Sequence, residues 1–428
     1  MGLGLGVVAT VSATAGALLA VSLSATPLLQ SKLTPKEQAT FSQADAISYK
    51  NLQIPTLSRP INLLVLGTKV LTSDVNTAPK SNLGYQALVN SFDGLSDTML
   101  LLRFDPNSGK FTALSIPRDT QAEIEGHGIR KINEANSYGG PALAAQSVSN
   151  LLDGVPIDRY VRVNVQGIAK LVDALGGVEV YVPKDMKYND FSQHFYINLK
   201  QGKQRLDGDK ATQFLRFRYD EYGDIGRIQR QQTLIRAIVE QSLKPQTLLK
   251  LPEILSVIQA YVDTNLTIEE LVALAGFAAQ THRSDVQMLM LPGGFNGNGR
   301  HGVSYWLPNR EGIEKLVGQH FDQGYAESNN SDPGRLRVAI QDSTGDPEAV
   351  RTLVNALGQA GYRNVYVGEA WREPLQVSRI VAQKGDDGSA AALRVALGVG
   401  EVLVESTGNL ASDVTIQLGR DWRQQQRN

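Results

Sequence analysis

Tyr160-Val161-Arg162-Val163-Asn164-Val165, Gly167-Ile168-Ala169-Lys170-Leu171-Val172-Asp173-Ala174-Leu175 and Val178-Glu179-Val180-Tyr181-Val182 follow one another with a Gly176-Gly177 break. They read as strand, helix and strand. Such alternation indicates an α/β sheet covered by helices. Upstream, Ile61 to Leu66 is a short apolar run of the kind a buried strand shows. Thr98 to Phe104 and Phe111 to Ile116 read likewise. The turn formers Asp105-Pro106-Asn107-Ser108-Gly109 join these two into a predicted hairpin. Pro141 to Leu152 reads as a helix with proline at its start. Amphipathic segments continue to Phe321, among them Leu248 to Val262 and Ile268 to Gln280.

A second unit follows a polar stretch, residues 323–334, read as an interdomain linker. It comprises strand Leu336–Ile340, helix Pro347–Gly358, strands Asn364–Val367 and Ser378–Val381, helix Gly388–Leu397 and strand Val414–Leu418. The linker composition implies that this unit folds independently. At the other end, Gly2 to Leu29 carries no charge and is long enough to cross a bilayer. It is too long for a usual signal-peptide core. A membrane anchor over residues 1–30 is expected. No basic residue precedes it, so charge does not orient it and a cytoplasmic leader is missing. Residues 31–59 read as a stalk. The predicted architecture is a mixed sheet covered by helices over 60–322, plus a small α/β domain over 335–423 and an N-terminal membrane-spanning helix.

The 428 residues carry 42 Lys+Arg against 43 Asp+Glu, so global charge does not favour nucleic acid. Cysteine is absent, which removes disulfides, thiolate metal sites and cysteine nucleophiles. The five histidines show no zinc-protease pairing. What stands out is local. Arg216-Phe217-Arg218 precedes Asp224-Ile225-Gly226-Arg227 and Arg230-Gln231, where a helix should begin with Asp224 as its cap. A helix N-terminus offers free N–H groups and a positive dipole end. Arginine adds planar donors that match phosphate oxygens in pairs. The same charges also suit a solvated, salt-bridged helix start.

Arg118, at the end of the Phe111–Ile116 strand, can reach an anion or pair with Asp119. Asp97 opens the preceding strand, where it can hold magnesium or act as a cap. Lys131 adds a further cation. Together with Arg216, Arg218 and Arg227 this selection suits phosphoryl chemistry, in which positioning and charge neutralisation dominate. Gly293-Gly294-Phe295-Asn296-Gly297-Asn298-Gly299-Arg300 lacks the lysine and frame of a P-loop and reads as a plain loop. His127 and His301 read as surface residues. Leu248 to Ile258 reads as a core-packing segment.

Motifs in a fixed order resemble the LytR-CpsA-Psr family over about residues 60 to 320. They are Ser96-Asp97-Thr98, Ser115-Ile116-Pro117-Arg118-Asp119, Lys131-Ile132-Asn133, Gly139-Gly140-Pro141, Val172-Asp173-Ala174-Leu175-Gly176-Gly177-Val178, Leu206-Asp207-Gly208, Arg216-Phe217-Arg218 and Asp224 to Gln231. Asp413 to Trp422 is similar to the LytR C-terminal domain. The resemblance implies a membrane-anchored enzyme on the extracytoplasmic side of the cytoplasmic membrane. Such enzymes move a glycopolymer from a polyprenyl-pyrophosphate carrier onto peptidoglycan through a phosphodiester. By matching motif, Arg118, Lys131, Arg216, Arg218, Arg227 and Gln231 would grip the carrier's phosphates, Asp97 would bind Mg2+ and Asp224 would be the base. The family's Leu-Gly-x-Asp is here Leu66-Gly67-Thr68-Lys69, so one metal carboxylate is missing from its usual place. Either Asp74 replaces it, or Lys69 contacts a phosphate and leaves magnesium weakly held or absent. The alternatives are a polyprenyl-pyrophosphate phosphohydrolase and a non-catalytic glycopolymer- or carrier-binding module.

Overall fold

Four runs rich in Leu, Ile, Val and Phe lie side by side at the centre of the molecule. They are β1 (Ile61–Lys69), β2 (Leu95–Asp105), β3 (Lys110–Ile116) and β4 (Arg159–Asn164). In the computed structural model the described residues are 28–42, 47–50, 54–69, 92–190, 195–217, 223–242, 244–248, 250–296, 304–322, 332–383, 385–405, 407–409 and 411–425. β2 and β3 form the predicted antiparallel hairpin. Asp105 closes its turn by accepting from the Asn107 amide at 2.9 Å and the Ser108 hydroxyl at 2.7 Å. Gly109 takes the left-handed φ of +70° that such a turn needs.

Side chains on these strands alternate between two cores, as the pleat requires. Leu64, Leu66, Met99, Leu101, Leu114 and Ile116 face one way. There they meet α1 (Ala135–Leu151), which supplies Ala142, Ala145 and Val148. Ile61, Leu63, Phe104, Phe111 and Ala113 face the other way, toward Ala273 and Leu274. α1 is two helical pieces: Gly139 and Gly140 leave helical geometry, and Pro141 restarts the helix as the sequence predicts. After β4 come α2 (Val165–Ala174), α3 (Gly208–Arg216), α4 (Gly223–Ser242) and α5 (Leu251–Tyr261). α5 packs Ile254 against Ala174 and Leu175 of the neighbouring helix end, so core packing accounts for it. β5 (Val262–Thr264), α6 (Ile268–Gln280), β6 (Val286–Met290) and α7 (Arg310–His320) complete this part.

The C-terminal part contains β7 (Arg337–Asp342), α8 (Pro347–Gln359), β8 (Asn364–Val367), β9 (Arg379–Ala382), α9 (Asp387–Leu397), β10 (Glu401–Glu405) and β11 (Val414–Leu418). The sequence reading misses β6 and β10, and they are the strands that join the two parts. β6 pairs in parallel with β3 on one side and, through Gln287–Val404 and Met288–Glu405, with β10 on the other. One mixed eleven-stranded sheet results, in the order β5-β4-β1-β2-β3-β6-β10-β9-β11-β7-β8. The buried cluster containing Leu64 and Val148 also contains Val338, Leu353, Ile380 and Trp422. The expected independence of the C-terminal unit therefore meets a shared sheet and a shared core. A linker's composition carries no information on the strand edges at either side of it.

The segment read as a stalk is packed against the sheet. Phe41 is buried with its ring 5.3 Å from that of Tyr160. The anchor expected over residues 1–30 lies outside the described residues apart from its last three. Among the described residues no helix is long and apolar enough to cross a membrane.

Candidate functional site

β1 and β2 run in register until Gly67, opposite Thr98. Thr68 then faces Ser96 and Lys69 faces Leu95, so Asp97 is the extra residue of a β-bulge. A bulge turns a side chain out of the regular alternation, and bulges gather beside functional sites. Gly67 is what lets the strands meet there, since a Cβ would stand 2.9 Å from the Thr98 Cβ.

Beside this bulge β3 ends at Ile116-Pro117. The chain turns sharply, with both the amide and the hydroxyl of Thr120 donating to the Pro117 carbonyl at 3.0 and 2.6 Å. The turn delivers Arg118 to Asp97: a guanidinium N–H donates to the Asp97 Oδ1 at 2.8 Å. Arg118 Nε also lies 3.5 Å from the Asp119 Oδ2. Lys131, last residue of a short strand from Gly128, places its Nζ 2.9 Å from the Asp119 Oδ1. The Ile132 amide donates to the Thr120 carbonyl at 2.8 Å and so docks that segment onto the turn. Asp119, read from sequence only as a possible partner of Arg118, is thus the bridge between two cations. The Asp97, Arg118 and Lys131 side chains remain about one quarter exposed.

α4 brings the second group. Its first residue is Gly223, so Asp224 stands inside the first turn rather than capping it. An acidic residue there still complements the positive helix end. Arg227 stands in the same turn. The side chains of Asp224, Arg227 and Lys69 lie outside the described residues, as do Asp74, Arg218 and His301. Gln231 reaches the sheet, donating from Nε2 to the Thr98 hydroxyl at 2.8 Å, next to the bulge. Arg230 does not join the cluster: it is buried, donates to the Phe217 carbonyl and lies 5.7 Å over the Phe217 ring. It braces α4 against the end of α3, where half-buried Arg216 is the last helical residue. Two further motifs are structural. Asp207 caps α3, and Gly208 is packed so closely on the Ala169 carbonyl that a Cβ would stand 2.2 Å from its oxygen. Asp173 accepts from the Gly208 amide at 2.8 Å.

Sequence reasoning missed three polar groups at the site. Ser96 Oγ, Asn133 Oδ1 and Gln232 Oε1 are buried and have no hydrogen-bond partner among the described residues. Buried polar atoms are rarely left so, and these three belong to residues close to Asp97, Lys131 and Gln231 in the chain. Ser96 and Asn133 stand in the quoted motifs beside Asp97 and Lys131, and Gln232 follows Gln231; that was the available signal. His127 is exposed and stacks on Tyr138 with ring centroids 4.0 Å apart. Gly293–Phe295 pairs as a short strand with Trp306–Pro308 and holds no phosphate-loop frame. These two strands wall a cavity of about 1050 Å³ that also touches Lys315, Gln383 and Asp413. None of the predicted site residues lines it.

Among the described residues no group of three acidic or histidine side chains could hold a metal alone. Asp97 is the kind of carboxylate that magnesium uses beside phosphate oxygens and water, and its Oδ1 here accepts from Arg118.

Residues 28–321 match the LytR_cpsA_psr family, and residues 335–422 match the LytR cell envelope-related transcriptional attenuator domain. Over 230 residues the chain is 35% identical to the polyisoprenyl-teichoic acid–peptidoglycan teichoic acid transferase TagU of Oceanobacillus iheyensis, covering 52% of this chain and 69% of that protein. It is 30% identical over 237 residues to TagV of Bacillus subtilis, covering 54% of this chain and 60% of TagV. The crystal structure of B. subtilis TagV superposes with a TM-score of 0.51 at 27% identity, covering 62% of this chain and 98% of that one. The match over residues 28–321 takes in the bulged sheet, the Arg118 turn and the helix from Gly223, and the chain belongs to the LytR-CpsA-Psr family.

Proposed function

We propose that the protein is a phosphotransferase that moves a glycopolymer from a polyprenyl-pyrophosphate carrier onto peptidoglycan. The observation that carries this reading is the convergence at the bulged end of the β1–β2 pair, inside the sheet. Asp97, Arg118 and Lys131 meet there, and Gln231 reaches in from α4 to Thr98 beside the bulge. The names of the TagU and TagV relatives support the same chemistry.

A diphosphate brings charged non-bridging oxygens that can take the place of the Asp97 carboxylate on Arg118. On arrival it exchanges for Asp97 on Arg118, while Asp119 keeps Arg118 and Lys131 oriented. Arg216, Arg218 and Arg227 add charge-assisted donors. A peptidoglycan hydroxyl attacks the phosphorus that bears the glycan. Its proton goes to Asp224. The bond to the bridging oxygen breaks and prenyl monophosphate leaves. Asp97 would hold magnesium, which would offset the charge of the phosphates. The N-terminal apolar segment anchors the chain in the cytoplasmic membrane, with the site on the extracytoplasmic face where peptidoglycan lies.

The test incubates the protein with a prenyl-pyrophosphate-linked glycan, magnesium and peptidoglycan fragments. Prenyl phosphate together with coupled glycan is the expected result. Prenyl phosphate without coupling identifies a phosphohydrolase, and neither product identifies a binding module. Asp224→Asn should lower transfer by roughly 10²–10⁴, the usual scale of general-base loss, while carrier affinity holds. Full activity in that variant would remove Asp224 from the chemistry.

A further inference from the structure

α4 is held from below by one face. Gln229, Gln232 and Arg236 recur at helical spacing and therefore project together. Gln232 Nε2 donates to the Ser115 hydroxyl on β3 and to the Leu289 carbonyl on β6, each at 3.2 Å. The other two reach past β6 into the C-terminal unit. Arg236 lies 2.6 Å from the Glu405 Oε1, at the end of β10. Gln229 Nε2 donates to the Gly408 carbonyl at 3.4 Å.

The receiving end is built for this. The Arg236 and Glu405 side chains are only 12% and 6% exposed, so each charge depends on the other. The second Glu405 oxygen accepts from the Thr407 hydroxyl at 2.8 Å, which orients the carboxylate. Glu405 is itself in register with Met288 across the β6–β10 junction. At Gly408 a Cβ would stand 2.2 Å from the Gln383 amide nitrogen and 2.6 Å from the Thr415 Cβ, so only glycine lets the carbonyl stand where it does. An outer contact of Arg283 with Glu240 and Glu401 is more exposed and contributes little.

We propose that the C-terminal unit is a positioning part of the site: Glu405, acting through Arg236, and the Gly408 carbonyl, acting through Gln229, set where α4 lies on the sheet. Gln231 departs from the same stretch of helix toward Thr98 and the Asp97 bulge. A shift of α4 along or about its axis therefore moves Gln231, Asp224 and Arg227 relative to Arg118. This inference rests on the reading that α4 carries part of the phosphate site.

Two variants of the full-length protein test it, Glu405→Gln and the double variant Arg236→Met with Glu405→Gln. The first leaves a buried cation unpaired. The second removes the charge as well as the tether, so stability should largely return. Two readouts follow: amide hydrogen exchange, and turnover of farnesyl pyrophosphate with magnesium well below each melting point. A tether predicts exchange in residues 229–236 raised about tenfold or more in both variants, with residues 141–151 of α1 unchanged. It also predicts kcat down by about tenfold in both while KM moves less. Wild-type exchange and kcat in the double variant would overturn the proposal, and so would a parallel rise in α4 and α1. Exchange needs no substrate. If the unaltered protein neither binds nor turns over farnesyl pyrophosphate, the phosphotransferase reading fails while exchange still judges the tether.

Discussion

Two clusters of arginine and aspartate lie in the catalytic part, and their fates differ. Arg162 and Asp263 sit 2.6 Å apart, with both side chains 4% exposed. Asp263 also accepts from the Ser31 amide at 2.7 Å, the Ser31 hydroxyl at 3.0 Å and the Tyr160 hydroxyl at 3.3 Å. Arg162 also donates from Nη2 to the Ser31 hydroxyl and from Nη1 to the Phe92 carbonyl, the Asn136 side chain and Asp93. Burial, and then the Asp263 charge, raise the Tyr160 hydroxyl well above its ordinary range. This cluster is closed. Around a buried Asp119, the side chains of Arg118, Asp97 and Lys131 stay about one quarter exposed. That cluster can exchange a carboxylate for a phosphate. Residue type does not separate structural from functional charge here; saturation and access do.

Removing a partner from each cluster should break the comparison in opposite ways. Asp263→Ala strands a buried guanidinium and should cost about 3–5 kcal/mol of stability. Chemical denaturation measures it, and a loss below about 1 kcal/mol would mean that water reaches the pair.

Acid probes a third site. His320 sits at the junction of the two parts, with Nδ1 3.0 Å from the Gln287 Oε1. Burial pushes its pKa down to about 4 against the partial offset of Asp387, with Lys110 acting in the same direction as burial. The folded value lies below the unfolded one, so its contribution is complete above about pH 6.5 and is lost as pH falls toward 4. The loss is at most about 3 kcal/mol, and His320→Gln should flatten the stability profile in that window.

At the open cluster, Arg118→Ala should weaken prenyl-pyrophosphate binding at least tenfold, on the order of 1.5–3 kcal/mol, with little change in melting temperature. Arg118→Lys should rescue binding only in part, since lysine lacks the planar fork. A large fall in melting temperature would place Arg118 with the closed cluster.

The smallest effect concerns magnesium. Lys69 ends β1 opposite Leu95, two residues from Asp97. If its ammonium takes over part of the metal's task, activity should depend weakly on magnesium, and Lys69→Asp should steepen that dependence. Lys69→Ala should lose activity that Asp74→Ala keeps. Steep dependence in the unaltered protein, abolished by Asp74→Ala, would reverse the assignment.

Elements specified by neighbours in sequence could be read directly. The β2–β3 hairpin announces itself in Asp105 to Gly109, and α6 appears over the residues that its apolar spacing predicts. Elements defined by distant partners could not. Val286–Met290 and Glu401–Glu405 are short runs whose pairing joins segments more than a hundred residues apart. Nothing local distinguishes them from core residues of a helix or loop. The Asp97 bulge is equally silent, because a bulge is a property of two strands.

The sequence by itself determined the α/β class, the cations available for a phosphate, the family, and the helix that carries Asp224, Arg227 and Gln231. These follow from local pattern and residue chemistry, which survive without any knowledge of neighbours in space. Only the tertiary structure decided that Asp119 bridges Arg118 and Lys131, that Arg230 is a brace, that Arg162 is sealed, and that the C-terminal unit extends the catalytic sheet and reaches α4. Each of those depends on burial and on which strand edges and side chains meet, and the folded chain sets these through contacts between residues far apart in sequence.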